Sequence, residues 1–314
     1  MIPWQKRVRR ELRVRALLFF LPLLGRLPHR LAVALGSAVG FAAWHLVGRE
    51  RRLALEHLAI AFPERDAAFR RKTGRASFVN LARSALELVC VQGFQPRLAK
   101  VVVLGEPEAR LLAGAHAEGK GVVFVSCHVG NWELLARRIA LEGFPCGTVA
   151  REAQDPRLTA LLERSRLSAG VRVLWRGSKG LAKQLLRLLR EGGFVGVLID
   201  QDTDVQGHFV PFFGRLAFTP RAAGDLAVRT GAPIVFGCVH RVAPAMHEVV
   251  LKRIDVPRTG DREQDSLALT AAATRAIEDE IRRRPDEWVW MHRRWRTRPG
   301  LNLSEGPAAQ APKK

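Results

Sequence analysis

Short apolar runs and amphipathic stretches alternate along the last two-thirds of the chain. The short runs are rich in β-branched residues, which is typical of buried strands, and they predict strands at residues 101–104, 122–126, 147–150, 171–174, 194–199, 234–240 and 248–254. The stretches between them predict helices at residues 107–118, 132–141, 156–169, 178–190 and 220–230. This alternation predicts an α/β fold, a mainly parallel sheet flanked by helices on both faces.

The first 48 residues have a different pattern, basic and then apolar. Six cations, opposed only by Glu11, stand among the first 15 residues: Lys6, Arg7, Arg9, Arg10, Arg13 and Arg15. An apolar run at 16–24, a break at 25–30 and a second, uncharged apolar run at 31–48 follow. We expect 1–48 to be a membrane-associated helical segment, 49–299 a single α/β domain and 300–314 a disordered tail.

Four interpretations of the N-terminal segment stay open. A cleaved signal peptide needs a cleavage site of small residues, and the candidate is at 32–34. This site lies beyond Arg26 and inside the second apolar run, which counts against cleavage. A spanning helix needs roughly 20 apolar residues, which the second run marginally supplies. The segment could also be an apolar helical hairpin lying against one leaflet, with its basic flanks on anionic headgroups, and this interpretation is favoured. In the fourth interpretation, the apolar runs of this segment form ordinary core helices.

The composition is that of a globular protein with a strongly basic balance. Lys and Arg total 51 and Asp and Glu 30, a net charge of +21, which implies an anionic partner such as nucleic acid, a lipid surface or an acidic carrier. The four cysteines (Cys90, Cys127, Cys146 and Cys238) lack C-x-x-C spacing, so we expect reduced core thiols in a cytosol-facing protein.

His128 and Glu133 form the sharpest chemical signal. His128 follows a predicted strand and Glu133 lies in the first turn of the next helix, with Asn131 as its predicted N-cap. We expect His128 to act as a general base and Glu133 to hold the ring through its other nitrogen. Because no G-x-S-x-G nucleophile elbow is present, the nucleophile would be a substrate hydroxyl and the protein a transferase. The alternative is a capped helix start beside a packed histidine.

Other polar residues lie at the ends of predicted strands or, in the case of Arg166, in a predicted helix. Arg151 and Arg166 could face an oxyanion or a phosphate, although a solvated arginine is the default. The acidic segment 200–204 suggests metal binding, acid–base chemistry or orientation of the site, or is a plain acidic loop. The aromatic segment 207–215 is too dense in aromatic residues for an exposed loop. No metalloprotease, phosphate-loop or dinucleotide-binding motif is present.

These blocks together resemble one family, the bacterial late acyltransferases of lipid A biosynthesis, within the lysophospholipid acyltransferase superfamily. The resemblance covers about residues 30–298 and rests on blocks at 61–64, 128–133, 200–202, 209–214, 219–220, 229–234 and 292–295. Glu133 of the H-x4-E motif and the absence of an E-G-T-R block favour the lipid A branch over glycerolipid relatives. Glu152, Ala153 and Gln154 depart from the family pattern after Arg151, and so do Ser126 and Cys127 before His128.

The resemblance implies transfer of an acyl chain from acyl carrier protein, or coenzyme A, to a lipid hydroxyl at the cytoplasmic face of the inner membrane. It implies four catalytic residues, His128, Glu133, Arg166 and Asp200, without a bound metal or cofactor. The residues expected to contact substrate are Asn131, Arg151, Asp202, Phe209, Phe212, Phe213 and Arg215.

Two other functions remain as alternatives. One is acylation of a lysophospholipid or another lipid hydroxyl or amine. The other is nucleic-acid binding, suggested by the net charge and the basic aromatic segment 293–296. The scattered basic residues and the N-terminal apolar runs count against nucleic-acid binding.

Overall fold

The structure, a computed structural model, describes residues 4–300, without the side chains of residues 5–7, 9, 10 and 13. The expected disordered tail therefore lies almost wholly outside the described residues. Four helices form the N-terminal part: α1 (Trp4–Leu24), α2 (His29–Leu46), α3 (Gly48–Ala61) and α4 (Ala67–Cys90). Asp66 begins α4 because its side chain accepts a hydrogen bond from the Phe69 backbone N–H.

Helices α2 and α4 pack closely because two glycines of α2 lie on their contact. A Cβ atom at Gly36 would come 2.7 Å from the Cα of Arg83, and one at Gly40 would come 2.5 Å from the Cα of Val79. Such distances leave no room for any side chain. The outward side of α2 keeps large apolar residues exposed, among them Leu31, Val39 and Phe41.

The rest of the chain alternates strands and helices. In chain order the elements are α5 (Leu98–Val101), β1 (Val102–Val103), α6 (Glu106–Ala117), β2 (Val122–Ser126), α7 (Trp132–Ala140), β3 (Cys146–Ala150), α8 (Pro156–Leu167), β4 (Val171–Trp175), α9 (Leu181–Arg190), β5 (Phe194–Leu198), β6 (Gly207–Phe212), β7 (Arg215–Pro220), α10 (Ala222–Thr230), β8 (Ile234–Ala243), β9 (Met246–Ile254) and α11 (Arg262–Arg283).

Seven of these strands form one sheet in the order β1-β9-β8-β2-β5-β3-β4. The five strands from β8 to β4 are parallel, β9 runs antiparallel to β8, and β1 is parallel to β9. Helices α7 and α8, joined by a hydrogen bond from Arg137 to Ser165, lie on one face, and α9 and α10 lie on the other, which is the arrangement expected of right-handed crossovers. Two buried apolar clusters, one on each face, fill the space between sheet and helices. The predicted mainly parallel α/β sheet is confirmed.

All seven predicted strands are strands of this sheet. The hairpin β6–β7 was not predicted as strands and forms a separate two-stranded sheet. No single helix among the described residues is long and apolar enough to cross a bilayer. Helices α2 and α3, which meet at a bend of 91°, would pass that test only as a pair.

Candidate active site

His128 and Asp200 meet because they follow neighbouring parallel strands. Ser126, the last residue of β2, pairs with Leu198, the last residue of β5, so His128 and Asp200 stand two residues beyond the same rung. The Oδ1 atom of Asp200 lies 2.8 Å from Nδ1 of His128. Its Oδ2 atom accepts a hydrogen bond from the His128 backbone N–H, also at 2.8 Å. The carboxylate therefore holds both the ring and the backbone of His128.

Trp288, from the segment after α11, completes the surroundings of Asp200. Its indole Nε1–H donates to Oδ2 of Asp200 over 2.8 Å. Burial alone would raise the pKa of Asp200, but the charge of His128 and the hydrogen bonds from His128 and Trp288 outweigh it and lower the pKa to about 2. Asp200 is therefore ionised at neutral pH, and it keeps Nδ1 of His128 protonated.

The expectation that Glu133 orients the His128 ring is corrected by this geometry, because Asp200 occupies that place. Glu133 instead forms a two-point ion pair with Arg166 of α8, with Oε1–Nη2 at 2.5 Å and Oε2–Nε at 3.1 Å. Glu133 and Arg166, like His128, line one cavity. The four predicted catalytic residues thus form two pairs, His128–Asp200 and Arg166–Glu133.

The loop between His128 and α7 has a tightly constrained backbone. Gly130 has a φ of +61°, and a Cβ atom there would overlap the Val239 carbonyl oxygen at 1.8 Å, so only glycine fits. Asn131 caps α7 as predicted, because its side chain accepts from the Leu134 backbone N–H. The Asn131 amide nitrogen donates to Glu87. Asn131 is 2% exposed and does not line the cavity, so the structure gives it a capping role in place of the expected substrate contact.

A cavity of about 470 Å³ opens beside His128. It lies where β3 and β5 separate: their pairing ends at Thr148 and Gly196, while each strand continues to pair on its other side. Most of its lining is apolar and comes from both helical layers, including Leu135, Ile139, Leu181, Leu185 and Leu226. Its volume falls within the range of about 300–1,000 Å³ that is usual for small-molecule sites.

Among the predicted substrate-contacting residues, one lines the cavity and the others do not. Arg151 lines the cavity. Phe212 and Phe213 are buried in the apolar core against Trp288 and Trp290, so they pack beneath the site and do not form a groove for a ligand.

Three more of these residues lie outside the cavity lining. Asp202 is buried and accepts hydrogen bonds from Arg296 and from Thr297. Phe209 packs edge-on against Phe218 within the β6–β7 hairpin. Arg215 is exposed at the start of β7. Asp202 therefore holds the chain after Trp295 and does not face the cavity.

The closing aromatic segment contributes to the site in a way that sequence analysis missed. Besides Trp288, His292 lies near His128 and Asp200, and burial lowers its pKa to about 4 despite the nearby Asp200 charge, so its ring is neutral. Arg294 is fully buried and donates to the Phe218 carbonyl and, at 2.6 Å, to Thr219. Arg294 therefore faces the core, whereas Arg293 and Arg296 of the same segment are exposed.

One buried group outside the cavity has donor atoms suited to a metal. Ligand atoms of Cys238, His240 and Glu280 lie within 4.8 Å of one another. Burial alone would lower the pKa of His240, but hydrogen bonds with Cys238, Glu280 and Glu287 raise it to about 11. In this arrangement both ring nitrogens face hydrogen-bond partners, Nδ1 facing Glu287 and Nε2 facing Glu280. All four cysteines are free and buried, as predicted.

The fold and site define an α/β enzyme with a histidine–aspartate pair at the carboxyl edge of its sheet and an apolar cavity beside it. A family profile described as "Bacterial lipid A biosynthesis acyltransferase" matches residues 3–297. The protein belongs to this family and is an acyltransferase of lipid A and lipopolysaccharide biosynthesis, so it acts on an acyl donor and a lipid acceptor.

Characterised relatives match over most of the chain. The chain is 28% identical over 283 residues to the lipid A biosynthesis lauroyltransferase of Escherichia coli (strain K12), covering 88% of this chain and 89% of that protein. It is 24% identical over 276 residues to the lipid A biosynthesis palmitoleoyltransferase of the same organism, covering 87% and 88%. A lipid A biosynthesis acyltransferase of Shigella flexneri matches equally well.

Proposed function

We propose that the protein moves a fatty acyl chain from a thioester, on acyl carrier protein or coenzyme A, to a hydroxyl of a lipid A precursor, with His128 as general base. The observation that carries this proposal is the His128–Asp200 pair at the edge of an apolar cavity. With Nδ1 bonded to Asp200, Nε2 is the nitrogen that can accept a proton from the lipid hydroxyl.

The proposed reaction is a direct attack. His128 Nε2 takes the hydroxyl proton while the oxygen attacks the thioester carbonyl. The tetrahedral intermediate collapses, the C–S bond breaks, and the departing thiolate recovers the proton from His128 as a thiol. Asp200 stays ionised and stabilises the imidazolium that forms between these steps. The acyl chain occupies the apolar cavity.

Arg166 is one of three arginines that line this cavity, with Arg151 and Arg176, and it is the one paired with Glu133. Its Nε and Nη2 atoms each donate one hydrogen bond to Glu133, so the two Nη1 hydrogens and the second Nη2 hydrogen are left to bind an oxyanion or a phosphate of the substrate. Glu133 then acts through Arg166 as a positioning residue. Two further features support the setting: the net charge of +21 suits an acidic carrier protein, and the exposed apolar side chains of α1 and α2 suit the cytoplasmic face of the inner membrane.

An assay of the purified protein tests this function. Acyl carrier protein and coenzyme A thioesters are offered with a lipid A precursor or a lysophospholipid, and products are identified by mass spectrometry. We expect acylation of the lipid A precursor, and a loss of roughly 10²–10⁴-fold or more in His128→Ala. His116→Ala is the matched control, since His116, on α6, bonds the Gly192 carbonyl and does not line the cavity. A fully active His128→Ala protein would overturn the mechanism, and acylation of the lysophospholipid alone would overturn the acceptor.

A further inference from the structure

Glu87 of α4 lies at the centre of a hydrogen-bond network that the proposed mechanism does not use. Its side chain is fully buried and accepts from four residues. Oε1 accepts from His29, Arg241 and His247 at 2.8–3.1 Å, and Oε2 accepts from Arg241 at 2.7 Å and from the Asn131 amide at 3.0 Å. The donors come from α2, β8, β9 and the loop before α7.

The network keeps the carboxylate charged. Burial alone would raise the pKa of Glu87, but the hydrogen bonds from Arg241, His247 and His29 outweigh it and lower the pKa below its ordinary value. A buried carboxylate with an arginine and three further donors stabilises a fixed geometry, because removing one partner leaves buried polar groups unsatisfied.

Asn131 connects this network to the active site. Its amide nitrogen is held by Glu87 and its amide oxygen caps α7. The same amide nitrogen lies 3.3 Å from the Ser84 carbonyl, and Ser84 donates to the Gly130 carbonyl at 3.1 Å. The first turn of α7 carries Trp132, whose ring packs edge-on against His128 with 4.7 Å between centroids, and Glu133, which holds Arg166.

We propose that Glu87 is a positioning residue that fixes, through Asn131, the first turn of α7 and with it the Trp132 and Glu133 side chains in the cavity. The same carboxylate holds His29, the first residue of α2, so one buried charge sets the placement of the N-terminal helices and of the active-site loop. This inference rests on the proposed acyltransferase function, and it adds a residue outside the cavity to that reaction.

Replacement by glutamine would disturb Asn131 in particular. An amide has one acceptor oxygen and one donor nitrogen. The oxygen would take the Oε1 position, where three donors converge, and the nitrogen would take the Oε2 position, where two do. The new N–H₂ group would then oppose the Asn131 amide, so Asn131 must turn and α7 loses its cap.

Two variants test the link. Glu87→Gln removes the charge, and Asn131→Ser keeps a capping oxygen but lacks the nitrogen that reaches Glu87, so the second variant tests the link even if the first fails to fold. We expect each to lower kcat by roughly 10- to 100-fold per folded molecule, since misplacement of about 1 Å costs that much. KM for the thioester should change less than kcat. Unchanged kcat in folded Asn131→Ser would overturn the proposal.

A double-mutant cycle separates positioning from general destabilisation. If Glu87 acts through Asn131, the variant with both substitutions should have the kcat of the worse single variant. If its loss in kcat instead equals the product of the two single losses, the proposal is overturned. Glu280→Gln is the control: Glu280 is also a buried carboxylate bonded to a buried histidine, His240, but its polar partners are His240 and Arg283 and not Asn131 or α7. It should lower the melting temperature and leave kcat unchanged. A wild-type protein without transferase activity would refute the proposed function. If the wild type is active but the effects of the two substitutions on kcat are independent, only this inference is refuted.

Discussion

At the scale of single residues, Asp200 determines which nitrogen of His128 can be a base. Its two oxygens have different tasks: Oδ1 faces Nδ1 of His128, while Oδ2 accepts from the His128 backbone and from Trp288. Both donors on the Oδ2 side are N–H groups, which cannot accept a hydrogen bond. The orientation of any amide placed here is therefore fixed by the protein.

Asp200→Asn is predicted to leave the site assembled but inactive. The asparagine oxygen must keep the Oδ2 position, so its N–H₂ group faces His128 and donates to Nδ1. Nε2 then carries the proton and cannot accept one from a hydroxyl. We expect kcat to fall by roughly 10²–10⁴-fold, as for a triad histidine held in the wrong tautomer. Nitrogen NMR of the histidine ring would report the protonation of Nε2, and substantial activity with a protonated Nε2 would contradict the mechanism.

The same variant should alter stability with a predictable sign. The pKa of Asp200 is about 2 in the folded protein, below its value near 3.9 in an unfolded chain. Its ionisation therefore adds roughly 2 kcal/mol of stability that is fully present above pH about 4 and is lost as the pH falls towards 2. Urea unfolding of both proteins at pH 7 and pH 3 should show a smaller difference between them at pH 3.

Sequence analysis identified His128 and Asp200 but not their partnership. Each follows a strongly apolar run, so its position at a strand end could be inferred locally. That β2 lies beside β5 depends on the packing of the whole sheet, which local periodicity does not encode. Glu133, five residues from His128, was the nearer carboxylate along the chain, and only the fold shows that it faces α8.

At the scale of secondary-structure elements, α2 and α4 are joined by contact between their backbones. Gly36 and Gly40 lie one turn apart on the same side of α2 and give the backbone of α4 its closest approach. A helix contact of this kind tolerates little change, because the atoms met by a new side chain are backbone atoms of the opposite helix.

Gly40→Ala is predicted to destabilise the protein although alanine is the better helix former. The new methyl group would lie 2.5 Å from the Val79 Cα and 2.6 Å from the Phe78 carbonyl oxygen, so the helices must separate. We expect a loss of about 1–3 kcal/mol in the free energy of unfolding. Gly114→Ala in α6 is the control, because nothing lies within 4 Å of its Cβ position, and it should gain up to about 1 kcal/mol. Urea unfolding measures both changes in the free energy of unfolding. If the two substitutions changed it in the same direction, the packing argument would be contradicted.

The elements found and missed differ in the strength of their local signals. Sequence analysis found all seven strands of the large sheet, because they have apolar runs rich in β-branched residues, and in β2 and most of β8 these runs are buried on both faces. Hairpin β6–β7 contains Pro211, which weakens a strand prediction, and turns at Phe213–Gly214, where both residues have positive φ (51° and 71°). This turn lacks the usual asparagine–glycine signal. The density of aromatic residues therefore indicated that the segment is not an exposed loop, but the sequence did not indicate that its two halves pair as strands.

At the scale of the whole molecule, charge and exposed apolar surface coincide at the N-terminus. Helix α1 carries exposed Leu12, Phe19 and Leu23, and six cations stand in the first 15 residues of the sequence. Glu11 of α1 bonds Arg157 of α8, the helix that also carries Arg166. An N-terminal segment resting on a bilayer would therefore lie against the helix that carries Arg166, one of the arginines lining the cavity.

Phe19→Ser/Leu23→Ser is predicted to weaken binding to anionic vesicles at least about tenfold, since burial of each side chain contributes about 1.5–3 kcal/mol. Leu141→Ser/Leu216→Ser is the matched control, because these two side chains are similarly apolar and exposed (48% and 50%) but lie outside the N-terminal helices. Sedimentation with phosphatidylglycerol vesicles measures the binding, and added salt should weaken it for the wild type, because the basic residues contribute screened attraction. Equal binding by the two double variants would show that Phe19 and Leu23 do not contribute to lipid binding, and it would contradict a membrane-contacting role for α1.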